Sequence, residues 1–341
     1  MINFVLIGSG KIAENFHLPA IKRIKSIRLV AIIDKDILKA KRLAKKFKIN
    51  NYSTTLEKVS KLIKIDAAVI CVSNNAHEKI INQCLKKNLH FICEKPFVTN
   101  PKFINQIKKL SEKKKLICVS AQHQRYRLPS ILLKKKISDK KLGKIYFINI
   151  NSLYRKSHVI NNFNQTKRAS YNGLLLDLGS HFFDLILWLL NNPKPYSVTA
   201  FASKTLSKNL IKKNKLTKKF EIFDFCTGLI KFKNNMCINF KFSYLLNSNI
   251  NRKEEIKIFA ENLNILWPQI SSTKLNSKKM IKNSKKEIFL ASHLMLKDFL
   301  FKIKQKKIDN NNLNIQMNSL RIIDNLTKSI SKNRTIYFEN K

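Results

Sequence analysis

The first 121 residues alternate short apolar runs with amphipathic stretches, and this order restricts the fold more than any other feature of the chain. Five apolar runs are typical of strands: Asn3–Gly8, Arg28–Ile33, Asp66–Val72, His90–Cys93 and Leu116–Ala121. Four stretches between them carry apolar residues at helical spacing: Lys11–Ile24, Ile37–Phe47, Ala76–Lys87 and Lys102–Lys113. Strands that are apolar on both faces and separated by helices form a parallel, doubly wound sheet. We therefore predict an α/β domain over residues 1–124.

After about residue 125 the periodicity changes. Apolar and polar residues alternate in two long runs and again near 256–260, as expected for an antiparallel sheet with one buried face. The strands predicted here are Lys144–Tyr154, Phe220–Phe232, Ile238–Tyr244 and Thr335–Phe338, and the helices are Pro129–Ile137, about 288–305 and 313–331. We therefore predict a second, α+β domain over residues 125–341, built on an open antiparallel sheet.

The formal net charge of +46 at pH 7 raises nucleic acid or an anionic membrane as partners. The lysines, however, occur as scattered pairs and triplets on predicted helix faces and turns, as at Lys113–Lys115 and Lys134–Lys136, without a basic tail. We interpret them as a solvated surface, and we expect no specific nucleic acid and no membrane partner. Dedicated nucleic-acid binding remains the alternative, and it predicts salt-sensitive retention of DNA.

The six cysteines form no CxxC pair, and Cys71, Cys93 and Cys118 lie inside apolar runs. This pattern favours buried free thiols in a reducing compartment. The N-terminus, MINFVLIGSG, lacks the basic and apolar regions of a signal peptide, so we expect none and predict a cytoplasmic location. Because the histidines show no ligand spacing, we predict no metal site.

The most apolar stretch, GLLLDLGSHFFDLILWLL at residues 173–190, contains three ionisable residues, Asp177, His181 and Asp184. A membrane span needs roughly 20 apolar residues without central charges, so this run is not expected to cross a bilayer. On a helix, positions i, i+4 and i+7 share one face. We predict a helix anchored in a core, with Asp177 and His181 facing a functional site and Asp184 acting as a structural partner.

A glycine turn, GSGKIA, directly follows the first strand and opens a helix. The chain has only six glycines, and two of them stand here. A tight glycine turn lets the backbone approach a pyrophosphate, to which the helix N-terminus offers free N–H groups and a positive dipole. We predict that this turn binds a dinucleotide through Gly8, Gly10, Lys11 and Ile12.

The second strand ends at Asp34, 21 residues after Ala13. At this spacing an acidic residue binds the adenosine ribose hydroxyls. The carboxylate would repel a 2′-phosphate, which favours NAD over NADP. The neighbouring Lys35 leaves NADP open, because a cation tolerates the phosphate.

Two more stretches follow predicted strands: CVSNNAH at Cys71–His77 and EKP at Glu94–Pro96. With the GxGxxA turn and the DxGxHxxD run that starts at Asp177, in this order and spacing, the chain resembles the glucose–fructose oxidoreductase / inositol dehydrogenase / rhizopine-catabolism (GFO/IDH/MocA) family. The resemblance covers nearly the whole chain and is thin between residues 195 and 290. It implies a Rossmann domain and an NAD(P)-dependent oxidoreductase. The implied reaction is hydride transfer between nicotinamide and a secondary alcohol of a sugar, inositol or nucleotide-sugar.

The resemblance also implies catalytic roles for Lys95, Asp177 and His181. Lys95 would hydrogen-bond the reacting oxygen, and its ammonium would stabilise alkoxide character there. Histidine as a residue type titrates near neutral pH, which suits His181 to take the alcohol proton. Asp177 would orient His181 or share the substrate hydroxyls with it. Members of the family often have a cis bond before the proline that Pro96 matches. They also use the second domain's sheet for dimer contacts, so a homo-oligomer, dimer or tetramer, is implied.

Further polar residues at predicted strand ends are candidates for binding. We predict that the cofactor cleft is lined by Ser73, Asn74, Asn75, His77, Glu94, Lys95 and Gln122, and that the substrate contacts Arg125, Tyr154 and Arg155. Ordinary loop, helix-cap or surface roles remain the alternatives. An alternative function is a catalytically silent protein on the same fold that senses sugar and dinucleotide, although the intact set of Lys95, Asp177 and His181 argues against it.

Overall fold

The computed structural model of the protein describes residues 1–155, 173–213, 222–269, 271–272 and 285–339. The chain forms two compact units. The first unit contains Met1–Arg127 and Asn283–Met317, and the second contains Leu128–Lys282 and Asn318–Lys341. Each unit is built around its own sheet.

The sheet of the first unit has six strands in the order β3-β2-β1-β4-β5-β6, and every neighbouring pair is parallel. Its strands are β1 (Ile2–Ile7), β2 (Ile27–Ile33), β3 (Asn51–Ser53), β4 (Ala67–Ile70), β5 (His90–Cys93) and β6 (Cys118–Ser120). The predicted doubly wound α/β fold is confirmed. Strand β3 was not predicted, because three residues with two exposed side chains give no apolar pattern.

The helices that connect these strands are α1 (Leu18–Lys22), α2 (Ile37–Phe47), α3 (Leu56–Leu62), α4 (His77–Lys86) and α5 (Pro101–Lys114). Four of them fall in the predicted helical stretches, and α3 was not predicted. A π-helical turn, Ala13–His17, runs directly into α1. Short helical turns also precede α4 at Asn74–Ala76 and follow β6 at His123–Tyr126.

Helix α9 (Lys285–Lys304), which lies late in the chain, belongs to the core of the first unit. Its Met295, Leu296 and Phe299 are buried in one cluster with Phe4 of β1. The rings of Phe4 and Phe299 pack edge to face, with centroids 5.9 Å apart. From the sequence, all of residues 125–341 were predicted to form the second domain. Helical periodicity shows that a helix has an apolar face, but it does not show which core receives that face.

The second sheet has eight strands among the described residues, in the order β13-β12-β11-β7-β10-β9-β8-β14. They are β7 (Ile145–Arg155), β8 (Pro195–Ser203), β9 (Phe225–Phe232), β10 (Cys237–Leu246), β11 (Arg252–Ala260), β12 (Ile265–Trp267), β13 (Ser271–Ser272) and β14 (Ile336–Tyr337). The pairing is antiparallel except between β7 and β10, which run parallel. The predicted antiparallel sheet is therefore a mixed sheet. The start of the strand predicted from Phe220 lies outside the described residues.

The remaining helices are α6 (Leu128–Ser138), α7 (Gly173–Leu189), α8 (Thr205–Lys212) and α10 (Asn310–Lys332). Helix α7 packs on the second sheet through aromatic contacts, with the rings of Phe183 and Phe240 5.3 Å apart and those of Phe182 and Phe242 6.0 Å apart. A Cβ on Gly179 would lie 3.3 Å from Ile323, so this glycine lets α10 approach α7 closely.

Of the six cysteines, Cys84, Cys93, Cys118 and Cys226 are buried, and all six are free thiols, as predicted. Within the parts of the chain that the structure describes, no helix has both the length and the apolar character required to cross a membrane.

Candidate functional site

The glycine turn after β1 is shaped by backbone contacts. Gly8 has a φ of +102°, and a Cβ there would lie 2.5 Å from the carbonyl carbon of Cys71, so a side chain cannot be accommodated. A Cβ on Gly10, by contrast, would meet no described heavy atom within 4 Å. Lys11 and Ile12 are exposed at the start of the helical segment. This open backbone next to a helix N-terminus fits a dinucleotide pyrophosphate.

Asp34, at the end of β2, is tied to the same turn. Its Oδ2 accepts a hydrogen bond from the Ser9 N–H at 2.6 Å, and its Oδ1 accepts one from the Asp36 N–H at 3.0 Å. A carboxylate has lone pairs beyond these two bonds, so it can still accept from ribose hydroxyls. The turn and the carboxylate together fit the pyrophosphate and ribose of NAD.

The loop after β4 presents exposed polar residues beside the glycine turn. Ser73, Asn74 and Asn75 are exposed, and the Ser73 hydroxyl donates to Asn75 Oδ1 at 2.7 Å. His77 is fully buried, its Nδ1 lies 2.9 Å from the Pro96 carbonyl, and its Nε2 lies 3.2 Å from the Val72 carbonyl. The imidazole thus supports the turn that contains Pro96, and contact of His77 with the cofactor stays a prediction.

The EKP turn follows β5, and the peptide bond between Lys95 and Pro96 is cis. Glu94 is buried, whereas Lys95 is only partly buried. The Lys95 N–H donates to Glu94 Oε2 at 3.2 Å. Glu94 thus supports the backbone of Lys95, a role that the prediction of direct cofactor contact did not include.

Glu94 is itself held by His17 of the π-helical turn, with 2.7 Å between Nε2 and Oε1. Burial opposes the charge on His17, but Cys71 and Glu94 outweigh it and raise the pKa of His17 to about 10. Burial likewise opposes the charge on Glu94, but His123 and His17 lower the pKa of Glu94 to about 2. We therefore describe His17 and Glu94 as a buried ion pair.

His123 completes this cluster, with its Nε2 3.8 Å from Glu94 Oε1. The donor atoms of His17, Glu94 and His123 lie within 4.8 Å of one another, so they form a group that could hold a metal ion. The ion pair balances the charges of His17 and Glu94 without a cation, and the absence of a metal site stays a prediction. The sequence could not reveal the cluster, because its members come from three separate strand-to-helix junctions.

Gln122 and Arg125, which were also predicted to contact cofactor or substrate, are buried in the first unit. The Gln122 amide donates to Gln316 Oε1 at 3.2 Å. Burial opposes the charge on Asp309, but Lys302 and, more weakly, Arg125 lower the pKa of this carboxyl, so Arg125 interacts with Asp309. Both side chains therefore have partners within the first unit, and their contacts with cofactor or substrate stay predictions.

Helix α7 carries the predicted polar stripe of the second unit. Fourteen of its 17 residues are buried, and the exceptions are Asp177, His181 and Trp188. Asp184 is fully buried, in line with the structural role expected of it. Asp177 and His181 are thus the ionisable residues of this helix that keep some exposure, and they lie one turn apart on one face.

Residues of the sheet support Asp177. The Tyr244 hydroxyl of β10 donates a hydrogen bond to Asp177 Oδ2. The ring of Tyr154 packs edge-on to that of Tyr244 at 5.9 Å, and its hydroxyl donates to Glu254 Oε1 at 3.0 Å. Arg252 donates to the same Glu254 oxygen at 2.6 Å. Three of these residues, Tyr244, Arg252 and Glu254, were missed by the sequence analysis.

The two substrate candidates at the end of β7 have different surroundings. Tyr154 is buried and belongs to the network just described, whereas the side chain of Arg155 is exposed. Substrate contact of either residue stays a prediction. The following residues, 156–172, lie outside the described part of the chain.

Comparisons with known proteins agree with this architecture. A model of the oxidoreductase family with an NAD-binding Rossmann fold, GFO_IDH_MocA, matches residues 2–123. A model of the GFO/IDH/MocA C-terminal domain matches residues 131–262.

Curated relatives match at low identity. The chain is 24% identical over 199 residues to a D-glucoside 3-dehydrogenase of Escherichia coli, covering 58% of this chain and 57% of that protein. It is 25% identical over 207 residues to an inositol 2-dehydrogenase of Rhizobium meliloti, covering 61% of this chain and 60% of the relative. The matched region therefore spans less than two thirds of the length of these relatives.

Solved structures match over almost the whole chain. Scyllo-inositol dehydrogenase from Lactobacillus casei, with bound NAD(H) and scyllo-inositol, superposes with a TM-score of 0.83 at 15% identity and covers 99% of both chains. An oxidoreductase from Agrobacterium radiobacter in complex with NAD⁺, L-tartaric acid and magnesium gives 0.82 at 15% identity and 98% coverage of both chains. At such identities the likeness shows the fold, and the two family models show the kinship. The chain belongs to the GFO/IDH/MocA family of oxidoreductases with an NAD-binding Rossmann fold.

Proposed function

We propose that this protein is an NAD-dependent dehydrogenase that oxidises or forms a secondary alcohol of a sugar, an inositol or a nucleotide-sugar. The observation that carries the proposal is the stripe on α7. In a helix of 17 residues that is otherwise almost entirely buried, a carboxylate and an imidazole one turn apart keep some exposure. Asp177 and His181 are the residue types that oriented proton transfer requires.

Each catalytic candidate has one task in this proposal. Bound NAD would supply the acceptor for the hydride that leaves the alcohol carbon. His181 takes the hydroxyl proton on a ring nitrogen, and Asp177 stabilises the resulting imidazolium. The ammonium of Lys95 binds the reacting oxygen and stabilises its developing negative charge. In the reverse direction, His181 returns the proton to the oxygen of the reduced carbonyl.

The names of related proteins support the substrate class. The curated relatives include dehydrogenases of a D-glucoside and of inositol, and one structural neighbour contains scyllo-inositol. These compounds share a ring that bears several secondary hydroxyl groups. Asp34 favours NAD as the cofactor, because its carboxylate would repel the 2′-phosphate of NADP.

We also propose that copies of the chain associate through the second sheet. On β8 and β9, Phe201 and Leu229 are 63% and 41% exposed, whereas Val198 and Ile230 on the same strands are buried. Large apolar side chains on an open sheet face are typical of protein interfaces. Cytoplasmic location stays a prediction.

The test is the formation of NADH by purified protein supplied with NAD⁺ and a panel of inositols, aldoses and nucleotide-sugars. With a compound that turns over, we expect Lys95→Ala and His181→Ala each to lower kcat at least about 100-fold. Lys102→Ala, which removes an exposed lysine from the start of α5, is the matched control and should leave the rate unchanged.

Full turnover by Lys95→Ala would refute the mechanism. Calorimetric binding of NAD with no turnover of any compound on the panel would instead favour the silent sensor.

A further inference from the structure

We propose that Tyr244 is a positioning residue for the reaction, because its hydroxyl holds the carboxylate of Asp177 in the orientation that serves His181. This inference rests on the proposed function. It concerns a residue on β10, 67 positions from Asp177, which no motif in the sequence indicates.

The contact itself is specific. The Tyr244 hydroxyl donates to Asp177 Oδ2. A hydrogen bond from a neutral donor to a carboxylate is stronger than one between neutral groups, and it restricts the rotation of the Asp177 side chain. Because a carboxylate accepts several hydrogen bonds, Asp177 keeps the capacity to accept from an imidazole or a substrate hydroxyl as well.

Tyr244 is held rigidly, as a positioning residue must be. It is 1% exposed, and its backbone N–H donates to the Asp224 carbonyl at 3.0 Å. Its ring packs edge to face against Tyr154, whose hydroxyl is fixed on Glu254. The donor to Asp177 therefore sits on a sheet rather than on a loop, which limits its movement.

Charged and titratable groups near this contact lie on two elements of the second unit. His181 lies on α7 with Asp177, while Arg252 and Glu254 lie on β11 and form an ion pair at 2.6 Å. Burial opposes the charge on Arg252, but Glu254 and, more weakly, Asp177 raise its pKa, so the carboxylate of Asp177 and the guanidinium interact. Tyr244 contributes a donor that carries no charge near neutral pH, so its hydrogen bond adds direction without adding charge.

The test compares Tyr244→Phe with Tyr146→Phe. Both substitutions remove one phenolic oxygen, but Tyr146 is exposed near the start of β7 and belongs to none of the predicted catalytic or binding positions. In the NADH assay we expect Tyr244→Phe to lower kcat about 10-fold, with little change in KM for NAD⁺, and to shift the acid limb of the pH profile of kcat. Tyr146→Phe should keep a rate within about twofold of wild type and an unshifted profile.

A second measurement does not need the activity. The eight tyrosines are labelled with ¹³C at Cζ and observed by NMR. The signal of Tyr244 is identified as the one that disappears in Tyr244→Phe. We expect this signal to move in Asp177→Asn and to stay in place in Glu254→Gln. The proposal would be overturned if the Tyr244 signal keeps its position in Asp177→Asn. It would also be overturned if Tyr244→Phe has the kcat and the pH profile of the wild type. If the signal moves but no compound turns over, the contact stands and the proposed dehydrogenase function fails.

Discussion

The first unit holds Lys95 largely by backbone geometry, whereas the second unit holds Asp177 by side chains from distant strands. In the first unit, the supporting bonds to the EKP turn end on the Lys95 N–H and the Pro96 carbonyl. In the second unit, Asp177 is held by a phenol from β10. The difference teaches that a short motif can be sufficient to position one predicted catalytic residue, while the position of another depends on strand register.

The largest effect is expected from a substitution at Gly8, where the turn of the first unit has no room for a side chain. Gly8→Ala places a Cβ 2.5 Å from the Cys71 backbone at a φ of +102°. We expect it to cost on the order of 3 kcal/mol or more in the free energy of unfolding, measured by urea denaturation, and to abolish NAD binding.

Gly10→Ala is the matched control, because its Cβ would meet nothing within 4 Å. It should change stability by less than about 1 kcal/mol while still weakening NAD binding. If Gly8→Ala and Gly10→Ala have the same free energy of unfolding, the close approach of Gly8 to the Cys71 backbone is not what excludes a side chain from the turn.

The second prediction concerns the pH dependence of stability that arises from the ion pair of His17 and Glu94, which supports the EKP turn. Glu94 has a pKa of about 2 instead of the ordinary 4.5, so its stabilising contribution is present above pH 4.5 and is lost as the pH falls toward 2. His17 has a pKa of about 10 instead of 6.5, so its contribution is present below pH 6.5 and is lost as the pH rises toward 10. We expect His17→Gln to flatten the alkaline loss of stability.

The measurement is the free energy of unfolding as a function of pH. Glu57→Gln serves as the control, because it breaks an exposed pair with Lys87 at 2.6 Å. Exposed pairs contribute about 0–1 kcal/mol, so the pH curve of this variant should follow that of the wild type. If the free energy of unfolding of His17→Gln still falls at alkaline pH as it does in the wild type, His17 is not the cause of that loss.

The smallest expected effect lies in the second unit. Gly179→Ala would place a Cβ 2.9 Å from the Phe183 ring and 3.3 Å from Ile323. Crowding of this kind costs about 1–3 kcal/mol, and the higher helix propensity of alanine returns about 1 kcal/mol. We expect a net loss of about 1 kcal/mol by thermal or urea unfolding.

If the crowding involves α10, the loss should shrink in an Ile323→Ala background, as a double-mutant cycle would show. An additive cycle would show that Phe183 alone is responsible. In that case, Gly179 would not be needed for the approach of α10.

Much of the site could be predicted because it lies in local patterns. Gly8, Asp34 and Lys95 each follow a strand that its apolar residues reveal, and parallel strands bring their carboxyl ends to one edge. The spacing of Asp177 and His181 places them on one helix face in any α-helix. The contacts of His77 with backbone carbonyls could not be predicted, because a polar residue after a strand looks the same in sequence whether it faces a ligand or a carbonyl.

The sequence by itself determined the parallel sheet, the glycine turn and the stripe on α7, since these depend on periodicity and on backbone conformations available to neighbouring residues. Only the tertiary structure decided that α9 joins the first core, that β7 and β10 run parallel, and that His17 and Tyr244 support the predicted catalytic residues. These features pair residues far apart in the chain, and the choice among partners depends on packing and on the satisfaction of buried polar groups. No local pattern encodes that choice.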